Sequence, residues 1–356
     1  MKSGSAAPAR APGDADSARV TARAGFVTSA GWGDAESTPL AGDASFRRYY
    51  RLRCGTERAL LMDAPPTHED VRPFVTVAEH LRRLGFSAPR VYAQDPAAGF
   101  LLIEDLGDAT YTRLLARGAD ETTLYIAAVD LLVALHAHPR ATALALPSYD
   151  DDALLAEAAL FVDWYLPAKL GDARPPRASY LDAWRSVFAR LPPPATSLVL
   201  RDYHVDNLIR VADREGIAAC GLLDFQDALI GPRAYDLVSL LEDARRDLGA
   251  GLAESMYARY LDAFPDLERA NFAAWYGVLG AQRHAKVAGI FVRLAQRDGK
   301  RAYLRHIPRV LRLLENQLRN PALAPVKEWF DAHLPDRGIA PNFAQADESR
   351  PDSEHF

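Results

Sequence analysis

The sequence predicts an α+β protein of two lobes, in which a small strand-rich lobe precedes a large, mostly helical lobe. Two observations lead to this prediction. Between residues 37 and 106, short apolar and aromatic runs bounded by turn residues are typical of strands arranged around one helix. Beyond residue 107, apolar residues recur at helical spacing nearly throughout, and only residues 197–200 and 218–223 form short apolar runs that indicate strands.

The 356-residue chain is long enough for more than one unit with its own core. Residues 1–22 are rich in Ala, Pro, Gly, Ser and Asp, and we expect a disordered extension there because they can bury little apolar surface. Residues 23–106 form the predicted N-lobe, which binds nucleotide. Residues 107–334 form the catalytic C-lobe, and residues 335–356 a tail of similar composition to the extension.

The elements of the N-lobe follow in order. Residues 46–53 (FRRYYRLR) and 58–62 predict the first two strands, because aromatic and apolar residues favour a pleated, half-buried surface. Residues 69–84 predict a helix with one apolar face and a glycine stop directly after it. Residues 90–94 and 100–103 predict two further strands.

The C-lobe is predicted to be helical on both sides of its two short strands. The segments with helical spacing of apolar residues are 124–138, 153–170, 179–191, 237–247, 252–264, 271–296 and 305–318.

Composition excludes several classes of protein. The chain is 49% hydrophobic and 25% charged with a net charge of −5, which argues against a general binder of nucleic acid or of anionic membranes. Only two cysteines occur and they are far apart, so neither a disulfide framework nor a zinc site is indicated. No apolar run reaches the roughly 18 residues of a membrane span, and the N-terminus lacks the apolar core of a signal peptide. We therefore expect a cytoplasmic protein that acts without membrane or nucleic-acid partners, as a monomer.

Three polar residues lie beside the two central strands. Asp202 and Asn207 follow the first strand in the phrase RDYHVDN, and Asp224 follows the second in LLDFQD. In phosphoryl transfer, one carboxylate orients the attacking hydroxyl and accepts its proton, while an Asn oxygen and a second carboxylate hold Mg²⁺ on the nucleotide phosphates. Turn and cap chemistry also favours Asp and Asn, but the joint pattern indicates Asp202 as the base and the other two as metal ligands.

The order Arg201-Asp202, Asn207, Asp224-Phe225 resembles the catalytic loop and metal Asp of the aminoglycoside phosphotransferase superfamily, whose members share the protein-kinase-like fold. The resemblance implies the two-lobed kinase-like architecture, ATP as phosphoryl donor and Mg²⁺ as cofactor. It also implies that Arg201 and Asp236 form a pair that ties the catalytic loop to the following helix.

The same resemblance implies where the nucleotide binds. The phrase LAGDASFRRYY lies where the superfamily has its phosphate-covering hairpin loop, although an ordinary β-turn explains the same residues. Backbone groups of Glu104 and Leu106, in LLIEDLG, would read adenine at the inter-lobe hinge, and an exposed acidic turn is the alternative. The candidate phosphate-binding residues are Gly42, Asp43, Ser45, Phe46, Arg47 and Arg48.

One departure from the superfamily concerns residues 58–62, which correspond to the third strand of its members. Relatives carry a lysine there that pairs the phosphates with a helix glutamate, whereas this chain has Met62 at the nearest position. Glu79 is the expected helix partner, and we expect it to meet Arg47 or Arg48 instead. Either guanidinium could bind phosphate in a bidentate manner.

Longer sequence segments, spread over residues 23–335, make the resemblance more specific than the superfamily. They are similar to bacterial anomeric kinases of cell-wall recycling, which phosphorylate the C1 hydroxyl of N-acetylmuramate and N-acetylglucosamine. An amino-sugar partner and three substrate-binding residues follow from this resemblance: Gln226, Arg283 and His284. His204, two residues past the predicted base, is a fourth candidate for substrate contact, and capping of the loop is its alternative role. The segments are GDASFRRYYRL, LLMDAPP, RDYHVDN, LLDFQDALIGPRAYDLVSLLEDARRD and GAQRHAKVAGIFVRLAQRDGKRAYL.

Charge patterning gives partial independent support. At about 100° per residue, Arg283, Lys286, Arg293 and Arg297 share one stripe of their predicted helix. A cationic wall suits the lactyl carboxylate of N-acetylmuramate, although for Arg293 and Arg297 a solvated helix face explains the pattern better. Polycationic aminoglycosides would instead need an acidic pocket.

Two other functions stay open at this point. The first is a kinase for another small alcohol, such as an aminoglycoside, choline or homoserine. The second is a nucleotide-binding pseudokinase, suggested by the missing strand lysine and by Leu200, where the superfamily often has histidine.

Overall fold

The computed structural model describes residues 12–40 and 46–337, which fall into two compact units divided between Gly107 and Asp108. The first unit is built on an antiparallel sheet and the second is mainly helical, so the predicted α+β class with the strand-rich part first is confirmed. None of the helices in the described ranges is both long and apolar enough to cross a membrane.

The described part of the first unit holds a five-stranded sheet and two helices. The strands pair antiparallel in the order β1-β2-β3-β5-β4, and all four predicted strands and the predicted helix are present. The first helix and the first strand are additional to the prediction. The elements are α1 (Pro12–Ser29), β1 (Glu36–Pro39), β2 (Arg48–Cys54), β3 (Glu57–Asp63), α2 (Arg72–Arg83), β4 (Val91–Asp95) and β5 (Phe100–Glu104).

Helix α1 is held to the sheet by one aromatic contact and two arginines. Phe26 stacks on Phe100 with ring centroids 5.6 Å apart. Arg19 donates to Asp63 Oδ1 at 2.9 and 2.7 Å, and Arg23 donates to Asp63 Oδ2 at 3.3 Å. The Asp63 carboxylate is thus buried between two guanidinium groups. Their attraction offsets the free-energy cost of removing the carboxylate from water.

The prediction that residues 1–22 are disordered is therefore wrong for residues 12–22, which are helical. Composition suggested disorder because this stretch has few apolar residues of its own. The helix depends on Asp63 in β3 and Phe100 in β5, more than 40 residues away in sequence, and composition gives no information on such contacts. Residues 1–11 lie outside the described ranges.

The second unit contains ten α-helices and two short two-stranded ladders within its described residues. Strand β6 pairs with β9 and strand β7 with β8, both antiparallel. The elements are α3 (Tyr111–Ala116), α4 (Glu121–Ala137), α5 (Asp151–Leu160), α6 (Leu166–Leu170), α7 (Arg177–Phe188), β6 (Thr196–Val199), β7 (Leu208–Arg210), β8 (Cys220–Leu222), β9 (Leu229–Pro232), α8 (Ala234–Leu241), α9 (Leu252–Asp262), α10 (Arg269–Arg297), α11 (Ile307–Gln317) and α12 (Ala324–His333).

The helix predicted over residues 153–170 is interrupted, because a π-helical turn (Phe161–Tyr165) joins α5 to α6. Pro167, in the first turn of α6, has no N–H to continue the α-helical ladder. Helix α10 crosses this interruption closely. A Cβ on Gly289 would lie 2.2 Å from the carbonyl oxygen of Leu160, so only glycine permits the approach.

The start of the predicted C-terminal tail is also ordered, which corrects the boundary at residue 335. Arg337 is buried, and its guanidinium lies 2.6 Å from Glu315 and 2.8 Å from Asp331. Residues 335–337 thus belong to the second unit, and residues 338–356 lie outside the described ranges.

The packing of α1 gives a first prediction. Phe26→Ala removes an aromatic side chain that is 9% exposed and should lower the free energy of unfolding by about 3 kcal/mol. The matched control is Val20→Ala on the same helix, where the side chain is 51% exposed, and its effect should stay within about 0.5 kcal/mol. Urea unfolding of the full chain measures both, and equal effects would show that α1 is not bound through Phe26.

Candidate active site

The three residues predicted for phosphoryl transfer lie around the two short ladders of the second unit. Asp202 lies in the loop between β6 and β7, Asn207 directly precedes β7, and Asp224 follows β8 by two residues. Strands β7 and β8 pair with Leu208 opposite Leu222, so Asn207 and Asp224 meet at the same end of the ladder. The Asn207 side-chain nitrogen donates to the backbone carbonyl of Asp202 at 2.9 Å, which joins all three residues in one arrangement.

Backbone strain is concentrated in this arrangement. Arg201 has φ of 70° and Asp224 has φ of 55°, and within the described ranges no other residue except glycine has a positive φ. The left-handed region is unfavourable for residues with a Cβ, so surrounding contacts must impose it. One strained residue directly precedes the predicted base and the other is a predicted metal ligand.

Asp236 imposes the conformation of the loop over residues 200–207, between β6 and β7, which we call the catalytic loop after the predicted role of Asp202. Its fully buried carboxylate accepts hydrogen bonds from the backbone N–H groups of Leu200 at 2.6 Å and Arg201 at 2.8 Å. Burial raises the pKa of Asp236 to about 7, although the two amide hydrogen bonds oppose the rise. The predicted ion pair between Arg201 and Asp236 is wrong, because the Arg201 guanidinium contacts Glu157 and donates to the Asp227 carbonyl at 3.2 Å.

The electrostatic environment keeps Asp202 ionised. Burial raises the pKa of Asp202, but the positive charges around it, including Lys286, Arg283 and Arg201, bring its pKa below the ordinary value. A carboxylate that is ionised at neutral pH can accept a proton from a hydroxyl. The loop thus presents a proton acceptor in a locally cationic region.

Asn207 and Asp224 offer the oxygen donors that a hard cation prefers. The Asn207 nitrogen is engaged by the Asp202 carbonyl, which leaves its amide oxygen for another partner. Within residues 12–40 and 46–337, no group of three or more His, Cys, Asp or Glu residues is placed to hold a metal. Two protein oxygens still fit Mg²⁺, which usually keeps several waters and binds through one or two carboxylates together with substrate phosphates.

Gln226, predicted to bind substrate, contacts the predicted metal ligand. Its side-chain nitrogen donates to Asp224 Oδ1 at 3.0 Å and to Asp227 Oδ2 at 3.2 Å. The glutamine therefore orients the Asp224 carboxylate in this structure.

His204 is buried within the catalytic loop. Its Nε2 lies 3.4 Å from Arg245 Nη1 and 3.5 Å from the Asn207 side-chain nitrogen, and both of those groups are donors. The Nε2 atom must therefore accept, which assigns the proton of the neutral ring to Nδ1. Burial and the Arg245 charge lower the pKa of His204. Nε2 therefore contacts the loop, while the buried Nδ1 has no hydrogen-bond partner among the described residues, so both predicted roles of His204 stay predictions.

The two adjacent residues Arg283 and His284 of α10 have different surroundings. Arg283 is 4% exposed, and its buried Nη1 has no hydrogen-bond partner in the described part of the chain. His284 is fully buried, and its Nε2 lies 2.7 Å from Glu242, which also accepts from Gln317 at 2.6 Å. The prediction that His284 binds substrate is not supported, because its ring is used in the core.

Sequence reasoning missed Glu157, which four donors surround. Lys286 Nζ donates to its Oε1 at 2.8 Å and Gln282 to its Oε2 at 3.4 Å, and Arg201 and the Tyr149 hydroxyl donate as well. Helix α5 offered one signal, since Glu157 is a single acidic residue inside the apolar run ALLAEAALF. An acidic residue on a buried helix face requires partners.

In the first unit, the structure places only some of the predicted nucleotide residues. Phe46 is exposed and stacks on His68 with centroids 4.4 Å apart. Arg47 lies 3.4 Å from Glu69, and Arg48 is exposed at the start of β2. Three predicted residues lie outside the described ranges: Gly42, Asp43 and Ser45.

Among the described residues, the expected ion pair of Glu79 with Arg47 or Arg48 is not found: Glu79 is exposed on α2, and Arg47 lies 3.4 Å from Glu69. At the end of β5, the Glu104 side chain accepts from Arg82 at 3.2 Å and from the Arg90 amide at 3.1 Å. Leu106 is buried. These contacts leave the adenine-reading role of Glu104 and Leu106 as a prediction.

Comparison with known proteins gives consistent matches. A family model described as the phosphotransferase enzyme family matches residues 36–273. The N-acetylmuramate/N-acetylglucosamine kinase of Caulobacter vibrioides is 39% identical, over 90% of this chain and 98% of its own length. The protein of the same name from Pseudomonas aeruginosa is 40% identical, over 86% of this chain and 91% of its own length.

Among solved structures, a choline/ethanolamine kinase family protein from Mesorhizobium loti superposes with a TM-score of 0.59. The superposition covers 88% of this chain and 99% of that protein, at 16% sequence identity. A likeness at this level of identity concerns the fold.

The Glu157 cluster makes stability depend on pH. Burial raises the pKa of Glu157, but the charges of Lys286 and Arg201 lower it to about 2. A depressed carboxylate pKa stabilises the folded state above the ordinary pKa of 4.5, and this contribution is lost as the pH falls toward about 2. Glu157→Gln should therefore lower the free energy of unfolding by about 3–5 kcal/mol at neutral pH.

The difference between wild type and Glu157→Gln should shrink steadily as the pH falls below about 4.5. Urea unfolding at a series of pH values measures it, with Asp163→Asn, which breaks an exposed ion pair with Arg177, as the control. A difference that stays constant down to about pH 3 would contradict the depressed pKa.

Proposed function

Because the chain belongs to the phosphotransferase enzyme family, we propose that it is a sugar kinase that transfers the γ-phosphoryl group of ATP to the anomeric C1 hydroxyl of N-acetylmuramate and N-acetylglucosamine. Family membership confirms the predicted kinase-like fold and ATP as phosphoryl donor. The observation that carries the choice of substrate is the 39% and 40% identity, over most of the chain, to relatives named for these two sugars. Peptidoglycan recycling in the cytoplasm, by a monomer, stays a prediction.

Asp202 is the proposed base. The C1 hydroxyl of the sugar gives its proton to the Asp202 carboxylate while its oxygen forms the new bond to the γ-phosphorus, and the bond to the leaving ADP breaks. The ionised state of Asp202 and its fixed loop support this role. In phosphoryl transfer the protein contributes mainly by positioning and by electrostatic stabilisation, and this loop is suited to both.

Asn207 and Asp224 are the proposed Mg²⁺ ligands, oriented by the Asp202 carbonyl and by Gln226. Bound Mg²⁺ would neutralise negative charge on the ATP phosphates. In the first unit, the proposed phosphate contacts are Gly42, Asp43, Ser45, Phe46 and Arg48. Arg48 is a better candidate than Arg47, which is paired with Glu69.

Charge distribution separates this proposal from a kinase for cationic alcohols. The charges that lower the pKa of Asp202 come from basic residues, including Lys286 and Arg283. Aminoglycosides and choline are cations and would be repelled there, whereas N-acetylmuramate carries a carboxylate. The pseudokinase alternative is supported by the missing strand lysine but opposed by the retained arrangement of Asp202, Asn207 and Asp224.

A substrate panel tests the proposed function. Purified protein with Mg·ATP should release ADP with N-acetylmuramate and N-acetylglucosamine, and not with kanamycin, choline or homoserine. Each N-acetyl sugar reduced to its alditol is the matched control, because it lacks the anomeric hydroxyl and should not react. Turnover with kanamycin or choline would contradict the proposed substrate. Binding of ATP without ADP release for any compound of the panel would favour a pseudokinase.

Replacement of the base gives a second test. Asp202→Asn should fold and bind Mg·ATP normally while turnover falls by about 10²–10⁴-fold, because the hydroxyl loses its proton acceptor. Thermal unfolding and nucleotide titration provide the controls. Turnover at the wild-type rate would exclude Asp202 as the base.

Arg283 is the proposed partner of the lactyl carboxylate of N-acetylmuramate. A buried cation with an unsatisfied Nη1 is costly unless an anion joins it, and its charge acts on Asp202. Arg283→Ala should raise KM for N-acetylmuramate by about tenfold or more, while KM for N-acetylglucosamine changes little. An equal loss with both sugars would show that Arg283 acts on a group the two reactions share, such as the transferred phosphoryl.

A further inference from the structure

Glu157 contacts the catalytic loop through Arg201, the residue that precedes the proposed base Asp202. Helix α5 carries it, and its side chain is 13% exposed. Its Oε1 accepts from both Lys286 and the Arg201 guanidinium, and its Oε2 accepts from the Tyr149 hydroxyl and Gln282. A carboxylate with this many donors is fixed in place, and it fixes the two cations in turn.

Arg201 is restrained at both ends. Its backbone N–H is bound by Asp236, and its side chain is bound by Glu157 and by the Asp227 carbonyl at 3.2 Å. The guanidinium also lies 5.8 Å from the centre of the Tyr149 ring. Between these restraints the backbone of Arg201 has φ of 70°, a conformation that a residue with a Cβ adopts only when its surroundings impose it. This conformation sets the direction of the next residue, Asp202.

The close packing of neighbouring elements makes this restraint rigid. A Cβ on Gly231 would lie 2.5 Å from the Cβ of Tyr149, so β9 can approach Tyr149 only with glycine at this position. Lys286 is tied to Glu157 at 2.8 Å and to the Tyr235 hydroxyl at 3.1 Å. Glu157 therefore connects α5 and α10 to the catalytic loop.

We propose that Glu157 is a positioning residue for the transfer reaction, which holds Arg201 in its left-handed conformation and thereby aims the Asp202 carboxylate at the acceptor hydroxyl. This inference depends on the proposed role of Asp202. It adds a requirement that neither the motif nor the family match contains. The alternative is that Glu157 only neutralises the buried Lys286, with no influence on the loop.

Steady-state kinetics of two variants separate these roles. Glu157→Gln keeps the shape of the side chain and removes its charge. We expect kcat to fall by about 10²-fold, the effect typical of a misplaced catalytic group, while KM for sugar and for Mg·ATP changes less than about threefold. The double variant Glu157→Gln/Lys286→Met removes both charges and should recover thermal stability without recovering kcat, because the Arg201 guanidinium still lacks its carboxylate partner. Its kcat is compared with that of Lys286→Met alone, because the Lys286 charge also acts on Asp202.

Recovery of kcat together with stability in the double variant would overturn the proposal, as would an unchanged kcat in Glu157→Gln. Hydrogen exchange supplies a reading that does not depend on activity: in the double variant, where thermal stability is recovered, the amides of Leu200 and Arg201 should still exchange faster than in wild type. Unchanged exchange would also overturn it. Asp163→Asn, which breaks the exposed pair with Arg177, is the control and should change neither measurement.

Failure of this proposal is distinguishable from failure of the proposed function. If Asp202→Asn loses turnover while the double variant regains it, only the role of Glu157 is rejected. If Asp202→Asn keeps turnover, the base itself is misassigned.

Discussion

The candidate site depends on a backbone conformation that the local sequence does not favour. Arg201 and Asp224 both have positive φ, and each is adjacent to or part of the predicted chemistry. Asp236 compensates for the strain at Arg201 by accepting two consecutive backbone N–H groups inside the core. A buried carboxylate must accept hydrogen bonds, and the backbone of the catalytic loop supplies them to Asp236. Asp236 can therefore be buried only if the loop keeps this conformation.

Buried charged side chains are the second characteristic of the mainly helical second unit. Glu157 balances Lys286 and Arg201, while Arg283 adds a further buried cation. The excess of positive charge keeps Asp202 ionised despite its burial. A cationic interior next to the proposed base suits the proposed transfer, in which the anionic phosphates of the nucleotide must come close to the sugar.

In the first unit, a buried carboxylate is neutralised by two arginines of another element. Where the superfamily places a lysine, β3 has the buried Met62, and the neighbouring Asp63 is bound by Arg19 and Arg23 of α1. A helix at the N-terminal end of the chain thus neutralises an acid at the end of the strand. The stability of this sheet is linked to a segment whose composition resembles a disordered one.

The sequence by itself determined the α+β class, the position of most strands and helices, and the order of Asp202, Asn207 and Asp224. Apolar periodicity and motif spacing are local properties, so a linear reading captures them. Only the tertiary structure decided that Asp236 binds the backbone N–H of Arg201 rather than its guanidinium, that His284 contacts Glu242, and that Glu157 binds Lys286 across 129 residues of sequence. The partner of a buried charge is set by which elements pack together, and local sequence does not encode that choice.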